Sequence, residues 1–449
     1  MPNDARKMSL GLFLMPAGHH VAAWRHPDTA ADAGFRLDFY KHITRRAEAA
    51  KFDFVFLADN SGVREADPLI QSRSVETANF EPLTLLSALA TVTERIGLIA
   101  TVSTSFNAPY HTARQFASLD LLSNGRSGWN LVTSATDQEA RNFGLDQHMP
   151  HSDRYDRAAE YADVVRGLWD TFEDDSFLFD KAGGHLCDPD KIHVLNHNGP
   201  YFRVRGPLNV GRSPQGQPVL VQAGSSETGK ELAAMTADVV FTAQQTTDQA
   251  VGFYSDVKRR MARYGRPQDQ LKIMPGVMPV VGRTSQEADD KFETLQRLIH
   301  PDVGVALLSV VIGTDLRGLP IDGPLPELPV TNATVSRQKL LVDMARREKL
   351  TIRDLYLRTA AARGHWIVKG TPDQVADQLA ERFLKHGSDG FNIMPTHFPG
   401  GLDDFIEMVL PELRRRGLFR HDYAGSTLRE HLAIGRPGNR FGKLRSDVA

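Results

Sequence analysis

Residues 218–243 read PVLVQAGSSETGKELAAMTADVVFTA and lay out one repeating unit of the chain's architecture. An apolar run rich in valine (218–223) leads into a Gly-Ser-Ser turn, a segment of helical period follows, and a second apolar run (238–243) closes the unit. Strand, helix, strand in that order implies parallel pairing, because parallel neighbours need a crossover long enough to hold a helix. Eight runs along the chain fit the same alternation: 9–15, 53–58, 96–102, 127–133, 218–223, 238–243, 271–281 and 389–395. Helix candidates between them cover 35–51, 82–96, 152–172 and 371–387. The last opens on Thr371 as N-cap with Pro372 in the first helical position, and it closes on Gly387. Runs that are apolar throughout, rather than alternating, belong to strands buried on both faces. Eight such strands predict an α/β fold, a (β/α)8 TIM barrel.

A barrel of this kind takes about 250 residues, and the chain has 449. The surplus falls into insertions at about 173–217 and 300–370 and a C-terminal arm at 417–449. No internal repeat, low-complexity tract or break in composition divides the chain, so one barrel domain over 1–449 is expected. Within the second insertion, GLPIDGPLPELPVTNAT (318–334) is rich in proline and aperiodic, which reads as an extended segment crossing a surface. An insertion this long in a compact enzyme is a candidate lid. The arm is basic and lacks a periodic apolar face, so it reads as a strap on a neighbouring subunit or a loose end.

Charge narrows the function. With 53 Lys and Arg against 55 Asp and Glu, the chain has no electrostatic footprint for nucleic acid or an anionic membrane. No stretch reaches the 18 or so apolar residues of a membrane helix. The apolar start at 8–15 ends at Pro16 without a small-residue cleavage site, so it does not read as a signal peptide. A single cysteine, Cys187, cannot form a disulfide framework or a thiolate metal site, and such sparing use suits the cytoplasm.

In a barrel, active-site residues collect at the C-terminal strand ends, and these ends are polar here. His19, His20, Trp24, Arg25 and His26 follow the first run, Asp59 and Asn60 the second, and Ser103, Thr104 and Ser105 the third. Thr133 and Ser134 end the fourth, which contains Asn130, and Gly224, Ser225 and Ser226 follow the fifth. Gly224 to Lys230 spells G-x-x-x-x-G-K, but Glu231 stands where a nucleotide P-loop needs Ser or Thr for magnesium. What survives is a helix N-terminus with two hydroxyls, suited to one phosphate. No G-x-G-x-x-G fingerprint or G-x-S-x-G nucleophile occurs. His193 and His197 have helical spacing but lack the glutamate of a zincin motif, so no metal is expected.

Several longer motifs, in order, resemble the bacterial-luciferase-like superfamily, and within it the nitrilotriacetate and dibenzothiophene-sulfone monooxygenase group. They are GHHVAAWRHP (18–27), FVFLADN (54–60), SGWNLVTS (127–134), HSDRYDRAAEY (151–161), VLVQAGSSETGKELAA (219–234), HFPGGLDDF (397–405) and LRRRGLFRHDYAGSTLREHL (413–432). The resemblance implies a TIM barrel that takes FMNH2 from a separate NAD(P)H-dependent flavin reductase and inserts one atom of O2 into a small organic substrate through a flavin peroxide. Carried over residue by residue, it implies flavin contacts at Asp59, Thr104, Asn130, His151, Tyr155, Ser225 and Ser226. His20, Trp24 and His26 become candidates for substrate positioning or proton transfer. A homodimer or homotetramer is implied by analogy. The alternatives are a deazaflavin (F420)-dependent oxidoreductase on the same barrel and an FMN-binding protein without oxygenase activity.

Overall fold

A computed structural model describes residues 6–442 apart from 64–67, 135, 329–334 and 363. Nine parallel strands form its main sheet. They are β1 (Ser9–Phe13), β2 (Phe54–Leu57), β3 (Gly97–Ser103), β4 (Ser127–Val132), β5 (Val219–Ala223), β6 (Val239–Thr242), β7 (Lys272–Val281), β8 (Trp366–Gly370) and β9 (Gly390–Ile393). β1 to β7 pair in sequence order, β7 continues to β9, and β9 returns to β1, so eight of the nine close the expected barrel. Their residues are almost all buried, as strands sandwiched between a filled interior and a coat of helices must be.

β8 is the strand that the apolar pattern does not announce. Lys272 to Pro275 of β7 pair with β6, whereas Val277 to Val281 pair with β8. The ten residues of β7 thus exceed the barrel wall, and the far half carries an appended strand from the second insertion. The rest of that insertion adds elements beyond the proline-rich stretch. It is largely helical, with helices at Pro301–Ile312, Val335–Glu348 and Ile352–Ala360. The first opens on a proline at the first helical position and buries Val303, Val305 and Leu308 against the chain. The proline-rich stretch is confined to the turn between helices, and 329–334 lie outside the described residues.

The helix boundaries follow the sequence signals closely: Leu37–Ala49, Pro82–Ala90, His151–Trp169 and Pro372–Leu384. Thr371 forms a capping box with Gln374, accepting its N–H while the Gln374 amide oxygen accepts the Thr371 N–H.

The C-terminal arm corrects the expectation of a strap on another subunit or a loose end. Through residue 442 it lies on its own barrel, at the N-terminal strand ends. Leu428, Leu432 and Ile434 enter the interior cluster formed by Phe54, Phe56, Ile99, Val219, Val221 and Met274. They plug the barrel floor, and a fully buried leucine there contributes about 1.5–3 kcal/mol. Gly97 makes room for the plug, since a Cβ on it would stand 2.5 Å from Leu428 Cδ1. Aspartates that precede strands lock the arm and helices to this floor. Asp53 accepts the Leu10 N–H (2.7 Å) and pairs with Arg420, Asp238 accepts the Leu220 N–H (2.9 Å) and pairs with Arg429, and Asp389 accepts the Ile273 N–H (2.9 Å) and pairs with Lys258. Residues 443–449 lie outside the described part.

No helix among the described residues is long and apolar enough to cross a membrane.

Candidate active site

The C-terminal strand ends surround a cavity of about 610 Å³. One wall is polar and comes from the loops after β2 and β4: Asp59, Asn60, Ser134, Thr136 and Glu139. The other is apolar, with Val21 from the loop after β1, Ile70, and Val303 and Leu307 from the helix at Pro301–Ile312. The second insertion therefore places the helix Pro301–Ile312 at the barrel mouth. Leu131, Gln222, Ala223 and Tyr155 complete the lining.

Glu139 holds the polar wall together. Its Oε1 accepts from the Ser61 N–H (3.1 Å) and the Ser134 hydroxyl (3.0 Å), and its Oε2 accepts from the Thr136 hydroxyl (3.0 Å). One buried carboxylate that accepts from both loops ties them together. Gln222 faces Leu131 in register across β4 and β5. Its Nδ-equivalent donor, Nε2, reaches the Gly229 carbonyl (3.3 Å), whereas Oε1 is buried with no hydrogen-bond partner among the described residues. Neither residue stood out in the sequence, Gln222 because it lies inside an apolar run and Glu139 because it follows the strand end by seven positions.

Beyond the cavity, β5 ends in the turn Gly224-Ser225-Ser226, and the helix Glu227–Thr236 begins. Ser226 is its N-cap, accepting the Gly229 N–H at 3.1 Å, and Ser225 is exposed beside it. The Tyr155 hydroxyl reaches the same turn: a Cβ on Gly224 or Gly229 would lie 3.8 or 3.5 Å from it. Two serines, a phenol and the unpaired N–H groups of a helix N-terminus thus converge next to a cavity that Tyr155 itself lines. Lys230 turns away from this turn to Asp256 (2.7 Å) and Glu227, and Glu231 pairs with Arg260, which is not how a P-loop uses its lysine.

The remaining sequence candidates divide. Asp59 lines the cavity. Asn130, buried on β4 one residue before Leu131, donates to the Thr101 hydroxyl (2.8 Å), and its Oδ1 has no partner among the described residues. Thr104 is buried with its hydroxyl donating to the Val132 carbonyl (3.2 Å), so it joins β3 to β4. His151 is exposed, its ring 4.7 Å from that of Tyr155.

His20 is fully buried. Its Nδ1 accepts the Ala22 N–H (3.2 Å) and its Nε2 donates to Gln296 Oε1 (3.0 Å). Trp24 lines a second, smaller cavity next to the first. His26 stacks on His397 with ring centroids 4.0 Å apart, and Asp28 stands 3.9 Å from its Nδ1. Ligand atoms of these three lie within 4.8 Å of one another. Burial and the neighbouring His26 hold His397 down at about 4. His193 and His197 go to separate carboxylates, Glu173 (2.7 Å) and Glu160 (2.9 Å).

Comparison with known proteins accounts for this arrangement. The family model described as luciferase-like monooxygenase matches residues 13–389. The chain belongs to the luciferase-like monooxygenase family. It is 50% identical over 447 residues to nitrilotriacetate monooxygenase component A of Aminobacter aminovorans, covering 98% of this chain and 99% of that protein. It is 48% identical over 447 residues to N-acetyl-S-(2-succino)cysteine monooxygenase of Bacillus subtilis (strain 168), covering 99% and 100%. Among solved structures, riboflavin lyase with modified FMN and riboflavin superposes with a TM-score of 0.84 at 34% identity, covering 97% of this chain and 98% of that one. An F420-dependent secondary alcohol dehydrogenase shares the barrel at 15% identity and a TM-score of 0.57, a likeness of fold alone. The chain is a monooxygenase of the group its sequence relatives form, and the deazaflavin alternative is not favoured.

Proposed function

We propose that the chain oxygenates a small organic substrate with O2 and reduced FMN, received from a separate NAD(P)H-dependent flavin reductase. The observation that carries this reading is the continuity between the cavity and the Ser225, Ser226 and Tyr155 cradle, which has the polarity of a flavin mononucleotide: a broad ring at one end and a phosphate at the other. The donor set suits that cofactor. The buried Oε1 of Gln222 offers an acceptor to the N–H groups of a reduced ring, and the helix N-terminus offers donors and a favourable dipole to the phosphate. A relative whose name contains "component A" supports the two-component reading.

When bound, reduced flavin supplies the activation of O2. The chain's own residues do the rest. Tyr155, Ser225 and Ser226 hold the phosphate end, and Asp59 and Gln222 orient the ring edge. Val21, Ile70, Val303 and Leu307 exclude water and leave an apolar face for the substrate. Of the three catalytic candidates, Trp24 reaches a cavity. His20 and His26 are proposed to hold the loop after β1 in place, through Gln296 and His397.

Turnover in 18O2 with FMN, NADH and an added flavin reductase tests the proposal against a panel of carboxylated amines, thioethers and sulfones. One labelled oxygen atom in an organic product is expected. Release of all reducing equivalents as H2O2 with every compound, despite tight binding of reduced FMN, would support a flavin carrier instead.

A further inference from the structure

The first insertion carries a β-hairpin, Phe177–Asp180 paired antiparallel with His185–Cys187, that lines neither cavity. It follows the C-terminal end of the helix His151–Trp169 and is tied to the C-terminal arm, which places it on the floor side of the barrel. Several contacts fix it there. Asp174 pairs with Arg436 of the arm and with the buried Arg212 (both 2.9 Å), and the Phe177 ring packs over Gly211, where a Cβ would stand 2.8 Å from it. The Asp188 N–H donates to the Ser176 carbonyl (2.8 Å), and Asp180 Oδ1 closes the turn by accepting the N–H groups of Ala182 (3.0 Å) and Gly183 (2.9 Å).

What this anchored projection shows to water is apolar on both faces. Phe177 and Phe179 are 37% and 69% exposed, and they extend a ring stack from Phe172 with centroids 5.4 and 5.7 Å apart. Leu178 and Leu186, next to the Phe177–Cys187 pair on the two strands, point to the opposite face and are 49% and 63% exposed. Phe179 holds a φ of +50°, a left-handed conformation that bulky residues rarely adopt, at a register shift in the pairing. The strain brings its ring onto the stack. The four side chains present on the order of 400 Å² of apolar surface, the size at which an exposed patch marks an interaction site. A hairpin that rests on its own protein needs one apolar face, whereas one that is apolar on both is enclosed only by something else.

We propose that this hairpin is the interface between two copies of the chain, which enclose each other's hairpins about a two-fold axis. A two-fold contact brings a surface against itself, so it must be self-complementary. This one is. Opposite charges stand side by side at the tip, Asp180 and Lys181, and Asp175 pairs with Lys191 at the base, so no field of one sign repels an identical copy. The apolar centre within a charged rim is the composition of a lasting homodimer contact. Two copies bury about twice the apolar area of one, and the rim extends this toward the ~1,200 Å² at which stable pairs begin. The register shift at Phe179 disfavours strand addition at that edge, so rings and leucines carry the contact rather than a continued sheet. The barrel mouths stay open, and the inference stands independently of the monooxygenase reading.

Sedimentation velocity of the full-length protein over a range of concentrations tests it. The wild type is expected at twice the mass of one chain or a higher even multiple, and Phe179→Asp/Leu186→Asp at half the wild-type mass. The dissociation constant of the pair should rise at least about thirtyfold, the effect of removing an interface hot spot. Leu178→Lys, on the face opposite Phe179, should weaken association in the same direction, and the apolar exchange Phe179→Leu/Leu186→Met should keep the wild-type mass. All these side chains are exposed, so circular dichroism should be unchanged throughout. Hydrogen exchange supplies a local readout: amides 177–187 should be protected in the wild type and exchange faster in the aspartate variant. A wild type that is monomeric at every concentration, or an aspartate variant that keeps the wild-type mass, would overturn the proposal. So would a monomeric wild type whose hairpin gains protection only when a flavin reductase is added, an outcome that assigns the surface to that partner instead.

Discussion

Asp53 and Arg420, 367 positions apart in sequence, meet beneath the barrel in an ion pair of 2.6 Å. Burial pushes the Asp53 carboxyl up to about 6 even with the guanidinium beside it. The pair is thus held by its geometry against a desolvation cost. Removing one partner strands the other, whereas replacing both is far milder. Arg420→Ala is expected to lower unfolding stability by about 3–5 kcal/mol, and Asp53→Asn with Arg420→Gln to lower it by much less. Denaturant unfolding of the three proteins checks this. A loss in the double variant equal to that in Arg420→Ala would contradict it.

Gly97 and Leu428 give a second test of the plugged floor. A methyl group on residue 97 would stand 2.5 Å from Leu428 Cδ1 and 3.0 Å from the Asp53 carbonyl. Gly97→Ala should cost about 1–3 kcal/mol through overpacking. Combined with Leu428→Ala, it should cost less than the sum of the two single changes, because they share one space. Additive losses in thermal unfolding would show that the arm does not press on this strand.

The helix over the mouth has a role that oxygen accounting can read. Leu307 and Val303 supply the apolar wall, and water admitted there competes with the substrate. Leu307→Ser should raise the fraction of reduced flavin lost as H2O2 severalfold with little change in reduced FMN affinity. Unchanged coupling would remove the helix from the site.

His397 supplies a pH dependence. Its folded value of about 4, against an ordinary 6.5, arises from burial first and from His26 second, with Asp28 opposing and Lys291 and His20 adding to the lowering. Below pH 6.5 the unfolded chain binds a proton that the folded chain refuses until about pH 4. Stability at this residue is therefore complete above pH 6.5 and is lost as pH falls toward 4, by about 3 kcal/mol at about 1.4 kcal/mol per pH unit. His397→Asn should show a flatter stability curve across that window than the wild type, measured by denaturant unfolding at each pH. Parallel curves would contradict the assignment.

These features differ in how plainly the sequence carried them. Apolar runs marked all eight barrel strands because burial on both faces leaves a continuous signal. β8 escaped, since Trp366 to Gly370 includes Lys369 and is only partly buried at the sheet margin. The run VGVALLSVVI (303–312) was a helix hidden by the prolines that follow it. The arm's plug was invisible because Leu428 sits on a helix of four residues, Leu428–His431, too short to show a period, and Leu432 and Ile434 lie beyond it. At the site, Asp59, Tyr155, Ser225 and Ser226 were legible from strand ends and a family resemblance. Gln222 was not, because it lies inside the apolar run of β5 and only the barrel's closure shows that it faces the cavity.

One end of the site is proposed to take a phosphate and the other a reduced flavin ring. Anaerobic equilibrium titration with reduced FMN and with reduced riboflavin, which differ by that phosphate alone, tests it most directly. Reduced FMN is predicted to bind at least about tenfold more tightly, since charge-assisted hydrogen bonds to a phosphate are worth about 1.5–3 kcal/mol each. The advantage should shrink in Ser225→Ala and Tyr155→Phe while reduced riboflavin affinity stays as it was. Equal affinities for the two flavins in the wild type would contradict the account.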